Sequence, residues 1–246
     1  MAVIAVASTK GGVGKTTVCQ TIGADLALDG YKVALLDADR AQNLVKWGQN
    51  AELKGVYFVS EVDSTNVVAT IRSFRESYDF VFVDLPGAAE TVVTYAIGRS
   101  DLVILPAQPD EKDARAAVGI LQVIRQSEEL LSDMLKRDVV IPSCGLITKV
   151  HNLHTRAAAH TRAVMEEAGI SVLDPELIER TVFHEMSYHY RVPRQINARS
   201  GASQNVTAIK RALLTRLRQL EVDIPEPGAV TDLAPTQSAA AEEIAG

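Results

Sequence analysis

The stretch Lys10-Gly-Gly-Val-Gly-Lys-Thr-Thr17 carries two lysines, three glycines and two adjacent hydroxyls. These residue types in this spacing can hold a polyphosphate. Gly11, Gly12 and Gly14 lack Cβ atoms, so the backbone around Val13 can curl and turn its N–H groups inward on an anion. Lys15 is placed to reach the β- and γ-phosphates, the Thr16 hydroxyl to ligate Mg²⁺, and Thr17 to close the nucleotide-binding stretch. A lone glycine-rich turn with two incidental lysines would not match at every position.

Such a loop needs a strand before it and a helix after it. Met1–Ala7 is a short apolar, partly β-branched run, and the residues from Thr16 to Asp29 read as a helix ended by Gly30. The helix start adds its positive dipole end to the same anion. Further apolar runs supply strands at Val33–Leu36, Val56–Val59, Phe80–Val83, Leu102–Leu105, Gly145–Thr148 and Ser171–Leu173. Two of them deliver carboxylates at their C-terminal ends, Asp37 and Asp39 after the first and Asp84 after the third. That is where open α/β sheets bind ligands. A helix to about Glu76 is expected to be capped by Asp63 or Ser64, and another to follow Asp110 with Ala114, Val118, Leu121 and Ile124 on one face. Thr155–Ala168 reads as an alanine-rich helix ended by Gly169, with Arg156 and Arg162 toward solvent. Ser203–Leu220 reads as the last helix, its apolar face closing the core and Lys210, Arg211, Arg216 and Arg218 toward the other side. Strands alternating with helices predict an α/β fold, a doubly wound, mostly parallel sheet with helices on both faces.

Thr9 stands where the strict phosphate-loop consensus has glycine, and Lys10 is an extra lysine at the opening. That deviant loop, with Asp37-Ala-Asp39, Asp84-Leu-Pro-Gly87 and Ser100–Pro106 followed by Asp113, resembles the ParA/MinD family of dimerising P-loop ATPases over about residues 1–220. The resemblance implies ATP and Mg²⁺ as bound groups and a slow ATPase. It makes Lys10 a lysine that crosses an ATP-sandwich homodimer, Asp39 the residue positioning the attacking water, and Asp37 and Asp84 neighbours of the metal, with Asp84 acting through water. It implies non-specific DNA as one partner and a ParB-like centromere-binding activator as another. Arg40-Ala-Gln42 departs from the family's usual Pro-Gln, and Thr148 or Lys149 stands where many members place the asparagine that meets adenine, leaving the base contact unassigned. The absence of room before Val3 for a helix-turn-helix domain points to the short, plasmid-type ParA.

The chain has 246 residues and a net charge of −6, but the charge is segregated. Residues 180–220 hold eight basic residues against one acidic, whereas residues 221–246 hold six acids and no base. A basic segment on an acidic protein is the footprint nucleic-acid binding uses. Arg191, Arg194, Arg199, Lys210, Arg211, Arg216 and Arg218 are its candidate DNA contacts. The aromatic and basic stretch Tyr188–Pro193 fits base stacking and fits a half-buried surface loop equally well.

No apolar run approaches the ~20 residues of a membrane span, and Met1–Ala7 is too short for a signal-peptide core, so a cytoplasmic, nucleoid-associated protein is expected. From Pro225 the composition turns to Pro, Ala, Glu and Gln, an acidic tail expected to be disordered after an ATPase domain at 1–224. It is unlike the basic amphipathic helix of the MinD branch. Cys19 and Cys144 have no metal or redox spacing, which speaks against an iron–sulfur relative such as the nitrogenase iron protein. His151 and His154 read as loop histidines. Two rival readings stay open: a relative serving conjugation, T-DNA transfer or protein-cargo positioning, and a metabolic ATP-dependent ligase such as dethiobiotin synthetase.

Overall fold

The computed structural model describes residues 1–87, 90–151 and 155–228. His154 and the tail beyond residue 228 lie outside them. Six parallel strands form one sheet: β1 (Ala2–Val6), β2 (Val33–Asp37), β3 (Val56–Val59), β4 (Phe80–Asp84), β5 (Leu102–Ala107) and β6 (Ser143–Ile147), in the spatial order β3-β2-β4-β1-β5-β6. The order turns back at β1, which pairs with β4 on one side and β5 on the other. Ligands in open α/β sheets bind at such a switch point.

Parallel strands buried on both faces read as continuous apolar runs, and here alternate residues feed two separate layers. Ile4, Val6, Leu35, Phe82 and Ile104 meet α1 (Lys15–Ala27) and α9 (Gly201–Gln219) on one face. Val3, Ala5, Leu36, Val81 and Val103 meet α3 (Val67–Ser77), α4 (Thr91–Ile97), α5 (Glu111–Leu135) and α6 (Arg156–Glu167) on the other. The short α2 (Asn43–Gly48), α7 (Thr181–His189) and α8 (Pro193–Ile196) finish the described chain. The predicted doubly wound α/β fold is the one observed.

Register aligns the functional ends. Asp37 of β2 pairs with Asp84 of β4, and Asp84 pairs with Val6 of β1. Three strands therefore end level with one another, at the point where β1 runs into the glycine loop. Pro106 sits inside β5, where a proline would normally cost a ladder hydrogen bond. It is tolerated because β1 pairs only as far as Ile104, so the missing N–H faces no partner strand.

Several boundaries differ from expectation. Helix α1 stops at Ala27, and Gly30 takes the left-handed turn at φ 102° two residues after the cap. Ser171–Leu173 makes only an isolated bridge to Gly145, not a strand. Asp63 does not cap α3; its carboxylate accepts from Thr65, and Asn66 holds the cap position. Asp110 does cap α5, accepting from the Lys112 N–H at 2.7 Å. Thr155 caps α6, and just past its C-terminal cap, Ala168, Gly169 turns the chain at φ 89° with the Ile170 N–H on Met165 O. Arg162 is not a solvent residue: its guanidinium donates to the carbonyls of Val172 and Leu173 and fastens that segment. Arg180 precedes α7, and Tyr190 rather than a glycine adopts the left-handed conformation that ends it, at φ 55°.

Candidate nucleotide-binding site

The loop leaves β1 at Ala7 and enters α1 at Lys15. Gly12 and Gly14 adopt φ of 77° and 96°, conformations a side chain would strain. Nothing lies within 4 Å of where a Cβ would stand at Gly11 or Gly12, so the cradle opens outward. Gly14 caps α1 with no side-chain bond, leaving the first N–H groups of the helix free to meet an anion.

Two side chains from outside hold the loop, one of its own lysines braces it, and a glycine turn passes close by. Thr148, fully buried at the end of β6, donates its hydroxyl to Val13 O at 2.7 Å. Gln108 Nε2 donates to Gly12 O at 2.9 Å. Lys15 Nζ donates to Lys10 O at 3.3 Å, so the lysine curls over its own loop. At Gly87 a Cβ would stand 3.1 Å from Gly11 N, tighter than ordinary contact, so a side chain there would push on the loop.

The carboxylates meet under α1. Thr16 Oγ1 donates to Asp84 Oδ2 at 2.6 Å. Asp84 Oδ1 is buried with no partner among the described residues. Burial pushes the Asp84 carboxyl up to about 7 despite the Thr16 hydrogen bond, and the nearby Asp37 adds to the rise. Asp37 is also raised by burial, although it accepts N–H bonds from Leu44, Val45 and Asp39. It therefore ties α2 to the end of β2, a structural duty that the spacing did not disclose. Asp39 is half-buried, accepts from the Ala41 N–H at 2.9 Å, and lines a cavity of about 670 Å³ with Glu61, Asp63 and Glu90.

An orphaned carboxylate oxygen beside a hydroxyl, at a helix start with free N–H groups, fits a hydrated divalent cation bridged to phosphate. Among the described residues no group of three or more His, Cys, Asp or Glu could hold a metal ion. Such a cation would thus need ligands from water and nucleotide, as Mg²⁺ does.

A second cavity, of about 120 Å³, opens beside the loop between Gly14, Thr17, Lys149 and Phe183. Its wall includes Glu179, whose carboxylate meets His184 Nε2 at 2.6 Å. The sequence held no sign of this pairing. Thr148 reaches the cavity but commits its hydroxyl to the loop. Lys149 stands at φ 53° on its rim.

The candidate DNA contacts divide. Arg191, Arg199, Arg211 and Arg218 are exposed. Lys210 is not: it is 3 % exposed, and its ammonium pairs with Asp25 at 2.6 Å and with Asp29. Arg194 joins the same two carboxylates, at 3.3 and 2.6 Å. Both were expected on a DNA-facing surface, and both are spent on fastening α8 and α9 to the end of α1. Arg216 is half-buried, its Nε without a partner among the described residues. Cys19 and Cys144 are buried free thiols, Cys144 pushed up to about 12 by its burial.

A family model described as VirC1 protein matches residues 1–221. Protein ParA of Rhizobium radiobacter is 30% identical over 225 residues, which cover 89% of this chain and 99% of that protein. The chain belongs to the ParA/MinD family of P-loop ATPases. Protein virC1 of Rhizobium rhizogenes is 28% identical over 193 residues, 76% of this chain and 80% of that one. Among solved structures, the septum site-determining protein MinD of Pyrococcus horikoshii, complexed with Mg-ADP, superposes with a TM-score of 0.68 at 17% identity over 89% of this chain and 98% of that one. The membership accounts for the deviant loop with its extra Lys10 and makes the chain one of the partition or positioning ATPases. No helix among the described residues is long and apolar enough to cross a membrane.

Proposed function

We propose that the chain is a ParA-like ATPase: it binds ATP at Gly11–Thr17, dimerises around it, binds DNA without sequence preference and moves a DNA cargo. The observation that carries the reading is the loop itself, open at Gly11 and Gly12 and backed by Thr16 on Asp84. Gly14 and the α1 start present N–H groups to the phosphates, and Lys15 swings from Lys10 O to the β- and γ-oxygens. Thr16, Asp84 and Asp37 would hold Mg²⁺, which neutralises charge on the phosphates. Asp39, half-buried beside the large cavity, orients the attacking water. Lys10 serves the nucleotide of a second copy. Loss of the γ-phosphate would then dissolve the interface, the order–disorder logic of nucleotide switches.

The exposed Arg191, Arg199, Arg211 and Arg218 supply the phosphate contacts, and pairing two copies would double them. A ParB-like protein that accelerates hydrolysis is the expected partner. The match to a model described as VirC1 supports a second use of the same switch, as an accessory of DNA transfer; the two uses differ in cargo, not in nucleotide chemistry. Binding to non-specific duplex DNA with ATP, with ADP and without nucleotide, at two salt concentrations, tests the reading. Binding only with ATP and weakened by salt is expected. Equal or absent binding in all three states would leave the DNA-linked switch without support and favour a protein cargo or a metabolic ligase.

A further inference from the structure

The cavity of about 120 Å³ beside the loop plays no part in the phosphate chemistry. It begins at Gly14 and Thr17, where α1 starts. A nucleotide whose phosphates fill the loop therefore carries its base toward it. One wall is the half-buried Phe183, an apolar face against which a flat heterocycle can lie. The polar groups around that face decide which heterocycle is accepted.

Those groups are few and of opposite kinds. Thr148 spends its hydroxyl on Val13 O. Lys149, on the rim, has only donors to offer. By itself it would suit a base with an exocyclic carbonyl. Glu179, as a carboxylate, offers only acceptors. Its backbone is fixed: the Glu179 N–H donates to Val150 O at 2.9 Å, and the Ile178 N–H before it donates to Asn205 Oδ1 at 2.9 Å. The Glu179 side chain is 17% exposed, and one of its oxygens meets His184 Nε2 at 2.6 Å. His184 is itself 72% exposed, early in α7. The imidazole thus steadies the carboxylate from the solvent side and leaves its second oxygen for the cavity that Glu179 lines.

Adenine presents an exocyclic amine where guanine presents a carbonyl. A carboxylate oxygen accepts from the amine. Against the carbonyl, two acceptors face each other and both lose their bonds to water. We propose that Glu179 selects the base in this chain, taking an amino purine and rejecting an oxo purine, with His184 as the positioning residue that holds its carboxylate. This rests on the nucleotide reading above and names the group that would make that nucleotide ATP. It needs no asparagine at Thr148 or Lys149.

Fluorescence titration with ribose-labelled ATP and ribose-labelled inosine triphosphate, each with Mg²⁺, tests it. Inosine triphosphate carries a carbonyl where ATP carries its amine and lacks the second amine of guanine. The wild type is expected to prefer ATP about tenfold or more, the cost of an unmade buried hydrogen bond. Glu179→Gln, whose amide can turn an N–H toward the carbonyl, is expected to bring the ratio near one, chiefly by tighter binding of inosine triphosphate, with an unchanged melting temperature. His184→Ala is expected to lower the ratio several-fold, and His184→Gln, which keeps a donor, to restore it. Equal wild-type affinities, or a preference for inosine triphosphate set by Lys149, overturn the proposal without any variant. A ratio that Glu179→Gln leaves unchanged, including equal weakening of both ligands, overturns Glu179 as the selector. A His184→Ala loss that His184→Gln does not restore overturns the positioning role. A wild type that binds neither triphosphate overturns the nucleotide reading and this one with it.

Discussion

The glycine loop and the α8–α9 segment are both rich in basic residues, and the chain uses them in opposite ways. In the loop, Lys15 is buried and, among the described residues, is bound only to a neighbouring carbonyl, and two glycines face open space. Its charge is held ready for something the chain does not itself contain. In α8–α9, Lys210 and Arg194 are satisfied in full by Asp25 and Asp29. Their charge is used up in holding the last helix to α1. Positive charge in a sequence thus marks a candidate binding group where the fold leaves it without an acidic partner, as at Lys15 and not at Lys210. The loop's spacing does not decide this by itself, since Lys10 in the same loop pairs with Asp113. Net charge over a helix guarantees nothing.

Lys210→Met should break the second region without touching the first. It leaves Asp25, 1% exposed, and Asp29 with only Arg194 and the Thr207 hydroxyl. Removing one partner of a buried pair costs about 3 kcal/mol or more, so thermal unfolding should show a drop of several degrees. ATP affinity of the folded protein should be unchanged. Lys15→Ala should do the reverse, weakening nucleotide binding about 100-fold through lost charge-assisted bonds, with thermal stability nearly kept. Binding of a fluorescent ATP analogue checks it.

Acid should sharpen the contrast further. Burial alone would raise Asp29, but the hydrogen bonds from Lys210 and Arg194 outweigh it and hold the carboxyl below its ordinary range. A depressed folded value stabilises above the unfolded one and is lost as pH falls through the folded value. The stability gap between wild type and Lys210→Met should therefore be full at neutral pH and narrow below the ordinary aspartate range. Melting curves across that range would show it.

How much of this the residue order disclosed depends on the distance between partners. The loop, the apolar strands and Asp84 at a strand end are local patterns, and the fold and the site's place at the switch point follow from them. The α8–α9 cluster is not local: Lys210 and Arg194 meet Asp29 from 181 and 165 residues away. A helical wheel put Lys210 on the solvent side because it could not know that two carboxylates stand opposite. Arg162 misled in the same way, through carbonyls brought near by the fold. Asp37 was legible as a strand-end carboxylate, while its bonds to the α2 N–H groups depend on a left-handed turn at Gln42, at φ 51°, that no glycine announces. The Glu179–His184 pair sits five residues apart across the start of α7, a contact that needs the helix to begin at Thr181.

The smallest effect belongs to the arginines that stay exposed. Arg211→Ala and Arg218→Ala should each shift stability by no more than about 0.5 kcal/mol. If they contact DNA phosphates, each should lower the salt-dependence slope of ATP-state DNA binding by about 1. A slope that does not move would place the DNA surface elsewhere.

The nucleotide switch itself is tested most directly by sedimentation velocity of Asp39→Ala with Mg²⁺ and either ATP or ADP. Without the carboxylate proposed to orient water, hydrolysis should slow on the order of 100-fold, and the bound γ-phosphate should persist. The account predicts a stable dimer with ATP and a monomer with ADP. A monomer in both nucleotides, with ATP shown to be bound, would contradict it.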